Sequence, residues 1–139
     1  MEESIKFVLR SHPRYLGLVR AVVGELAAIQ TFRPEECRAL MLAVDEAIAN
    51  VIRHAYGGDH EKPVELTFYL FADRLEFVLF DQGVAPDPER LAPHPLDDVS
   101  LNGRGTYIIR SIMDGVFYER APGGNILRLT KQLPATEKE

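Results

Sequence analysis

Apolar residues along this chain follow two different periods, and the changes from one to the other divide it into elements. "SIKFVLR" alternates Ile5, Phe7 and Leu9 with polar neighbours, the period of a half-buried strand. From Tyr15 to Ile29 the apolar positions Leu16, Val19, Val22, Val23, Leu26 and Ile29 recur three or four apart, with Pro13 near the start, which predicts a helix. A second helix is predicted from Pro34 to about Tyr56. Its first turn carries Pro34, Glu35 and Glu36, and it stops at Gly57 and Gly58.

"VELTFYLF" and "RLEFVLFD" alternate again around Ala72 and Asp73 and read as a hairpin, the second strand ending on Asp81. A long, proline-rich and mostly irregular segment follows, of the kind that is usually functional inside a compact domain. "TYIIRSIMD" returns to helical spacing, opened by glycines. "GVFYER" and "NILRLTKQL" then form a second hairpin across Pro122, Gly123 and Gly124. The order β-α-α-β-β-α-β-β predicts an α/β (α+β) two-layer sandwich, a mainly antiparallel mixed sheet with three helices on one face. The opposite sheet face is then partly exposed or taken by a partner. Residues 1–133 form one domain and 134–139 a polar tail.

Composition narrows the class. The chain has 139 residues, 46% of them hydrophobic, enough for one core without disulfides or metals. No run approaches the ~20 apolar residues of a membrane-spanning helix, and "MEESIKFVLR" has acids where a signal peptide has basic residues. A cytoplasmic location is expected. Cys37 is the single cysteine and reads as a reduced structural thiol. A net charge of −5 with no basic patch argues against nucleic acid, leaving a protein or small molecule as partner.

Candidate chemistry sits on the second helix. Leu40, Val44, Ala47, Ile48, Val51 and Ala55 form its core stripe, and Glu46, Asn50 and His54, each four residues apart, line the flank. The spacing alone fits an ordinary helix edge, with Glu46 solvated, Asn50 bonded to a loop and His54 packed at the helix end. With support from elsewhere in the chain it would also fit a neutral oxygen for Mg²⁺ beside a carboxylate that accepts the proton of an attacking hydroxyl. Asp81 at a strand end, followed by Gly83, fits a turn or an acceptor for the exocyclic amino group of adenine. "NGRGTYII" places Gly103, Arg104 and Gly105 ahead of a helix, fitting a plain junction or a phosphate seat.

Taken together, "DEAIANVIRHAYGG", "DQGVAPDP" and "GRGTYIIRSIMDGVFYERAPGGNILRLTK" resemble the N box, first glycine box, and second glycine box with closing hairpin of the bacterial anti-sigma-factor serine/threonine kinases. These belong to the histidine-kinase-like ATPase superfamily that includes gyrase. The resemblance implies ATP and Mg²⁺ as cofactors, with Asn50 holding the metal and Glu46 as general base. It implies Asp81 on the adenine amino group, Gly83 behind the ring and Thr130 in a water-mediated contact on the same side. Gly103, Arg104 and Gly105 would hold the phosphates within a mobile lid from Pro86 to Asn102. It further implies phosphorylation of a STAS-domain anti-anti-sigma protein, binding of a sigma factor, and a homodimer.

Two departures stand out: Ala85 replaces a second glycine in the first box, and Thr106 a leucine after the second pair. The stiffer hinge expected at Ala85 supports an alternative function, a nucleotide-gated binding switch of the same fold without kinase activity. A histidine-kinase fragment fits less well, because no helix with a phosphoacceptor histidine precedes the domain.

Overall fold

A computed structural model describes residues 3–85 and 101–134, with side chains left undescribed at 101–105. Its elements are strand β1 (Glu3–Arg10), helices α1 (Leu16–Ile29) and α2 (Pro34–Asn50), and strands β2 (Pro63–Leu70) and β3 (Arg74–Asp81). Helix α3 (Leu101–Ile112) and strands β4 (Gly115–Ala121) and β5 (Gly124–Gln132) complete them. The strands form one sheet in the order β1-β2-β3-β5-β4, and every pairing among the described residues is antiparallel. The expected sandwich is present, with a wholly antiparallel sheet.

Alternation builds the inner sheet face. Val64, Leu66 and Phe68 on β2 and Leu75, Phe77 and Leu79 on β3 are buried, while the residues between them are half-exposed. Phe68 meets both Phe7 and Phe77 edge to face at ring separations of 5.7 and 5.6 Å, the geometry that aromatic quadrupoles favour. Val23, Leu26 and Ala27 of α1 close the core from above, together with Leu40, Ala43, Val44, Ala47 and Ile48 of α2. The α2 stripe expected from periodicity is thus buried, apart from Ala55, which is half-buried. Pro34 starts α2, and Glu36 Oε1 accepts the Arg33 N–H at 3.1 Å, satisfying a donor at the helix start.

Two elements depart from their predicted form. After Asn50 the second helix widens into a π turn over Val51–Ala55, where the Tyr56 N–H reaches the Val51 carbonyl at 3.0 Å. It ends at Gly57 and Gly58, both at positive φ, and the Gly58 N–H bonds the Ile52 carbonyl at 2.7 Å. Gly103 and Gly105 do not precede α3: they lie within it, since the helix is already formed at Leu101. Each residue added to an existing helix gains a hydrogen bond, and this outweighs the ~1 kcal/mol penalty of a glycine.

The closing hairpin follows its sequence. Ala121 pairs with Gly124 across Pro122 and Gly123, and Gly123 has a φ of 82°, the type II arrangement with proline second and glycine third.

Candidate functional site

Between the C-terminal end of α2, the π turn, α3 and the inner face of β3, β5 and β4 lies a cleft enclosing about 790 Å³ of space open to solvent. A concave, mainly apolar wall with a few convergent polar groups is the character of a small-molecule or cofactor site. Its wall is mainly apolar, with Val51, Val84, Ile109, Val116 and Leu127 facing it. Polar groups stand at intervals: Asp81, Tyr118, Asn50, His54, Thr106 and Arg110.

Asp81 marks the deep end. It is only 5% exposed, and burial raises its pKa, while hydrogen bonds from Asn125 and the Gly83 N–H, and the nearby Arg120 charge, act in the lowering direction. Both hydrogen bonds, each 2.8 Å, fall on Oδ1. Oδ2 has no hydrogen bond among the described residues, and no buried side-chain polar atom there is left unsatisfied. Oδ2 is therefore open to the cleft as an acceptor. Tyr118 lies in the same region, its phenol pushed well above the ordinary range by burial and then by the Asp81 charge.

The chain leaving β3 is firmly tied. The Gln82 N–H donates to the Tyr56 hydroxyl at 2.8 Å, and that hydroxyl itself donates to the Pro63 carbonyl. The Val84 N–H donates to the Ala55 carbonyl at 3.0 Å, one of the carbonyls a helix end leaves without an internal partner. This approach explains Gly83. A Cβ there would lie 2.3 Å from the Ala55 oxygen, so the close contact between β3 and the π turn requires glycine. Ala85 carries no strain, because Thr31 is the single non-glycine residue with positive φ among those described.

The opposite end is open. Asn50 closes α2 half-buried on the cleft wall, and its Oδ1 accepts from Arg53 Nη2 at 3.1 Å. His54 lines the cleft from the π turn, and Thr106 and Arg110 line it from α3. Glu46 lies one turn before Asn50, about 6 Å back along the axis. It is half-buried and not part of the cleft wall. No group of three His, Cys, Asp or Glu suited to a metal occurs among the described residues. A neutral amide oxygen at the mouth of a cleft nevertheless fits Mg²⁺, which keeps waters and borrows oxygens from substrate phosphates.

Not every expected residue belongs here. Thr130 pairs with Glu76 and Gly115, on the outer sheet face and far along β5 from Asp81. Strand alternation excludes it, because Asn125, Leu127 and Leu129 share the inner face and Thr130 has the other parity. The backbone of Gly103, Arg104 and Gly105 lies at the start of α3, directly before Thr106. The lid expected from Pro86 to Asn102 falls outside the described residues as far as residue 100.

Asn125 and Arg120 were not expected. Asn125 is buried, directly across from Asp81 in the sheet register, and Arg120 is its partner on β4. The available signal was an asparagine at an inward position of β5.

Comparisons with known proteins agree with this geometry. Residues 9–131 match the family described as Histidine kinase-like ATPase domain. The chain is 31% identical over 137 residues to the serine-protein kinases RsbW of Bacillus velezensis and Bacillus subtilis, covering 93% of this chain and 85% of each relative. RsbW of Halalkalibacterium halodurans is 31% identical over 143 residues, covering 97% and 86%. Among solved structures, the RsbU and RsbW domains of a Mycobacterium tuberculosis protein superpose with a TM-score of 0.69 at 17% identity. The match covers 94% of this chain and 32% of that one. The histidine kinase domain of an Erythrobacter litoralis blue-light activated kinase gives 0.56 at 17% identity, covering 87% and 60%.

Proposed function

The chain belongs to the RsbW serine-protein kinase family of histidine kinase-like ATPases, and from that premise we propose that it transfers the γ-phosphoryl group of ATP to a serine or threonine hydroxyl of a STAS-domain anti-anti-sigma protein, and that it binds a sigma factor. The supporting observation is a single cleft that runs from a buried carboxylate with one open oxygen, Asp81, to an amide oxygen at its mouth, Asn50.

In this reading Asp81 Oδ2 accepts from the exocyclic amino group of adenine. Val51, Ile109 and Leu127 enclose the ring, and Tyr118 keeps water from the deep end. Asn50 would hold Mg²⁺, which when bound neutralises and orients the phosphate oxygens. Thr106, Arg110 and the first turn of α3 face the phosphates, where unpaired helix N–H groups and a guanidinium favour negative charge. The bond from the γ-phosphorus to the β,γ-bridging oxygen breaks, a bond to the hydroxyl oxygen forms, ADP leaves, and Glu46 takes the hydroxyl proton. Glu46 is not among the residues that line the cleft, and in this reading it meets that hydroxyl with the protein substrate seated. Two copies acting together as a homodimer complete the proposal.

The test is incubation with labelled Mg-ATP and candidate STAS domains. Acid-stable phosphate on serine or threonine is the expected result. The position of Glu46 off the wall also favours a second reading, a switch that grips partners according to nucleotide and transfers nothing. ATP binding without any labelled STAS domain would establish that reading and remove the first.

A further inference from the structure

Arg120, Asn125 and Asp81 occupy one rung of the sheet, paired across β4, β5 and β3, and the reaction above uses only the last of them. Asn125 is 1% exposed, so each of its polar atoms needs a partner within the protein. Its Nδ2 donates to Asp81 Oδ1 at 2.8 Å, to the Val84 carbonyl at 3.0 Å and to the Gly83 carbonyl at 3.3 Å. Its Oδ1 accepts from Arg120 Nη1 at 2.6 Å, and the same Nη1 reaches the Gly83 carbonyl at 3.0 Å. Turning the amide over would set Nδ2 against the guanidinium and Oδ1 against three acceptors, so the surroundings permit one orientation.

We propose that Arg120 and Asn125 are positioning residues for base recognition, committing Asp81 Oδ1 to the protein so that Oδ2 is the one acceptor an incoming purine meets. The pair also fixes the Gly83 and Val84 carbonyls beside that oxygen. A carboxylate free to rotate would present either oxygen and would equally accept from other donors. One held on a single edge favours a purine with an amino group at the matching place. Arg120 acts through Asn125 from an exposed position on β4. It can therefore be changed without opening the core.

This inference rests on Asp81 as the adenine acceptor, and the experiment separates the two. Dissociation constants are measured for ATP and for purine riboside triphosphate, which lacks only the exocyclic amino group. The unmodified chain is expected to prefer ATP by about tenfold or more, the value of a hydrogen bond to a charged group. D81N should abolish that preference. If the unmodified chain shows none, the reading of Asp81 fails. If it does, R120M should weaken ATP by about five- to tenfold while leaving the analogue within about twofold, and R120K, which keeps a donor, should recover most of the loss. Asn125→Ser should repeat the selective loss. An equal effect of R120M on both nucleotides, or no effect, overturns the proposal while leaving Asp81 in place.

Discussion

At the Asp81 end of the cleft the protein has already made most of its hydrogen bonds. The Gln82, Gly83 and Val84 N–H groups and the Gly83 and Val84 carbonyls are all bonded, and one carboxylate oxygen is left for a ligand. At the Asn50 end Asn50 is held by one exposed arginine, and Glu46 is not among the residues that line the cleft. In the proposed reading the first end is preorganised to recognise a base, and the second is completed by what would bind there: phosphates, metal and a protein hydroxyl. Selectivity belongs where the geometry is fixed, and turnover where it is assembled.

The comparison breaks most visibly at Glu46. Glu46→Gln should slow phosphoryl transfer by ~10²–10⁴, the usual share of a general base, while ATP affinity and thermal stability stay near their starting values. Single-turnover kinetics beside nucleotide titration measure both. Transfer at the original rate would remove Glu46 from the chemistry and leave the open end with metal and phosphate binding alone.

At the fixed end the same conservatism of substitution should damage the fold. Gly83→Ala drives a Cβ into the Ala55 carbonyl, with 2.3 Å between them before relaxation. A loss of about 2–3 kcal/mol, or roughly 10 °C in Tm, is expected because both partners are backbone and neither yields cheaply. A melt unchanged within about 2 °C would show that the β3 end and the π turn are not locked together.

Asp81→Asn should separate binding from stability. The amide oxygen can replace Oδ1 toward Asn125 and Gly83, but the amide nitrogen then faces the adenine amino group, costing about 1–3 kcal/mol in ATP affinity. Unliganded stability should hold or rise. Because burial raises the folded pKa of Asp81, its contribution to stability is present below the unfolded pKa and lost as pH rises through the folded value. The ionised form of this buried carboxylate is therefore a cost, which a neutral amide removes. A lower Tm for the variant at neutral pH would mean that the hydrogen bonds to Oδ1 outweigh burial.

How far the sequence led to each end follows from the same difference. Asp81 was legible because it ends a periodic run, and Asn50 because it stands four residues from Glu46 and from His54 on the flank of the core stripe. Helix α2 and both hairpins were legible from periodicity and glycines. The link from Asp81 to Asn125 spans 44 residues and exists only through the β3–β5 register, which one sequence does not set. The choice of Thr130 failed on parity: the alternation that turns Asn125, Leu127 and Leu129 to the inner face turns Thr130 to the other. The π turn was not legible, since it differs from α-helix by a shift of one hydrogen-bond partner and uses the same residue types. The packing reason for Gly83 was not legible, because the atom that fills its missing Cβ comes from a turn more than twenty residues earlier.

The smallest expected effect lies at the open end, at Arg53. Its Nη2 occupies Asn50 Oδ1, the oxygen proposed to receive Mg²⁺, and its positive charge opposes a cation there. Both groups are accessible to solvent, so the opposition is weak and screened by salt. Arg53→Met keeps the aliphatic stem and removes the donor and the charge. The Mg²⁺ concentration for half-maximal ATP binding should then fall by about two- to fivefold, the range expected for like charges a few ångströms apart in high dielectric. The gain should shrink as ionic strength rises. A higher Mg²⁺ requirement in the variant would instead make Arg53 a phosphate ligand. The open end would then carry a fixed cation of its own and differ less from the Asp81 end.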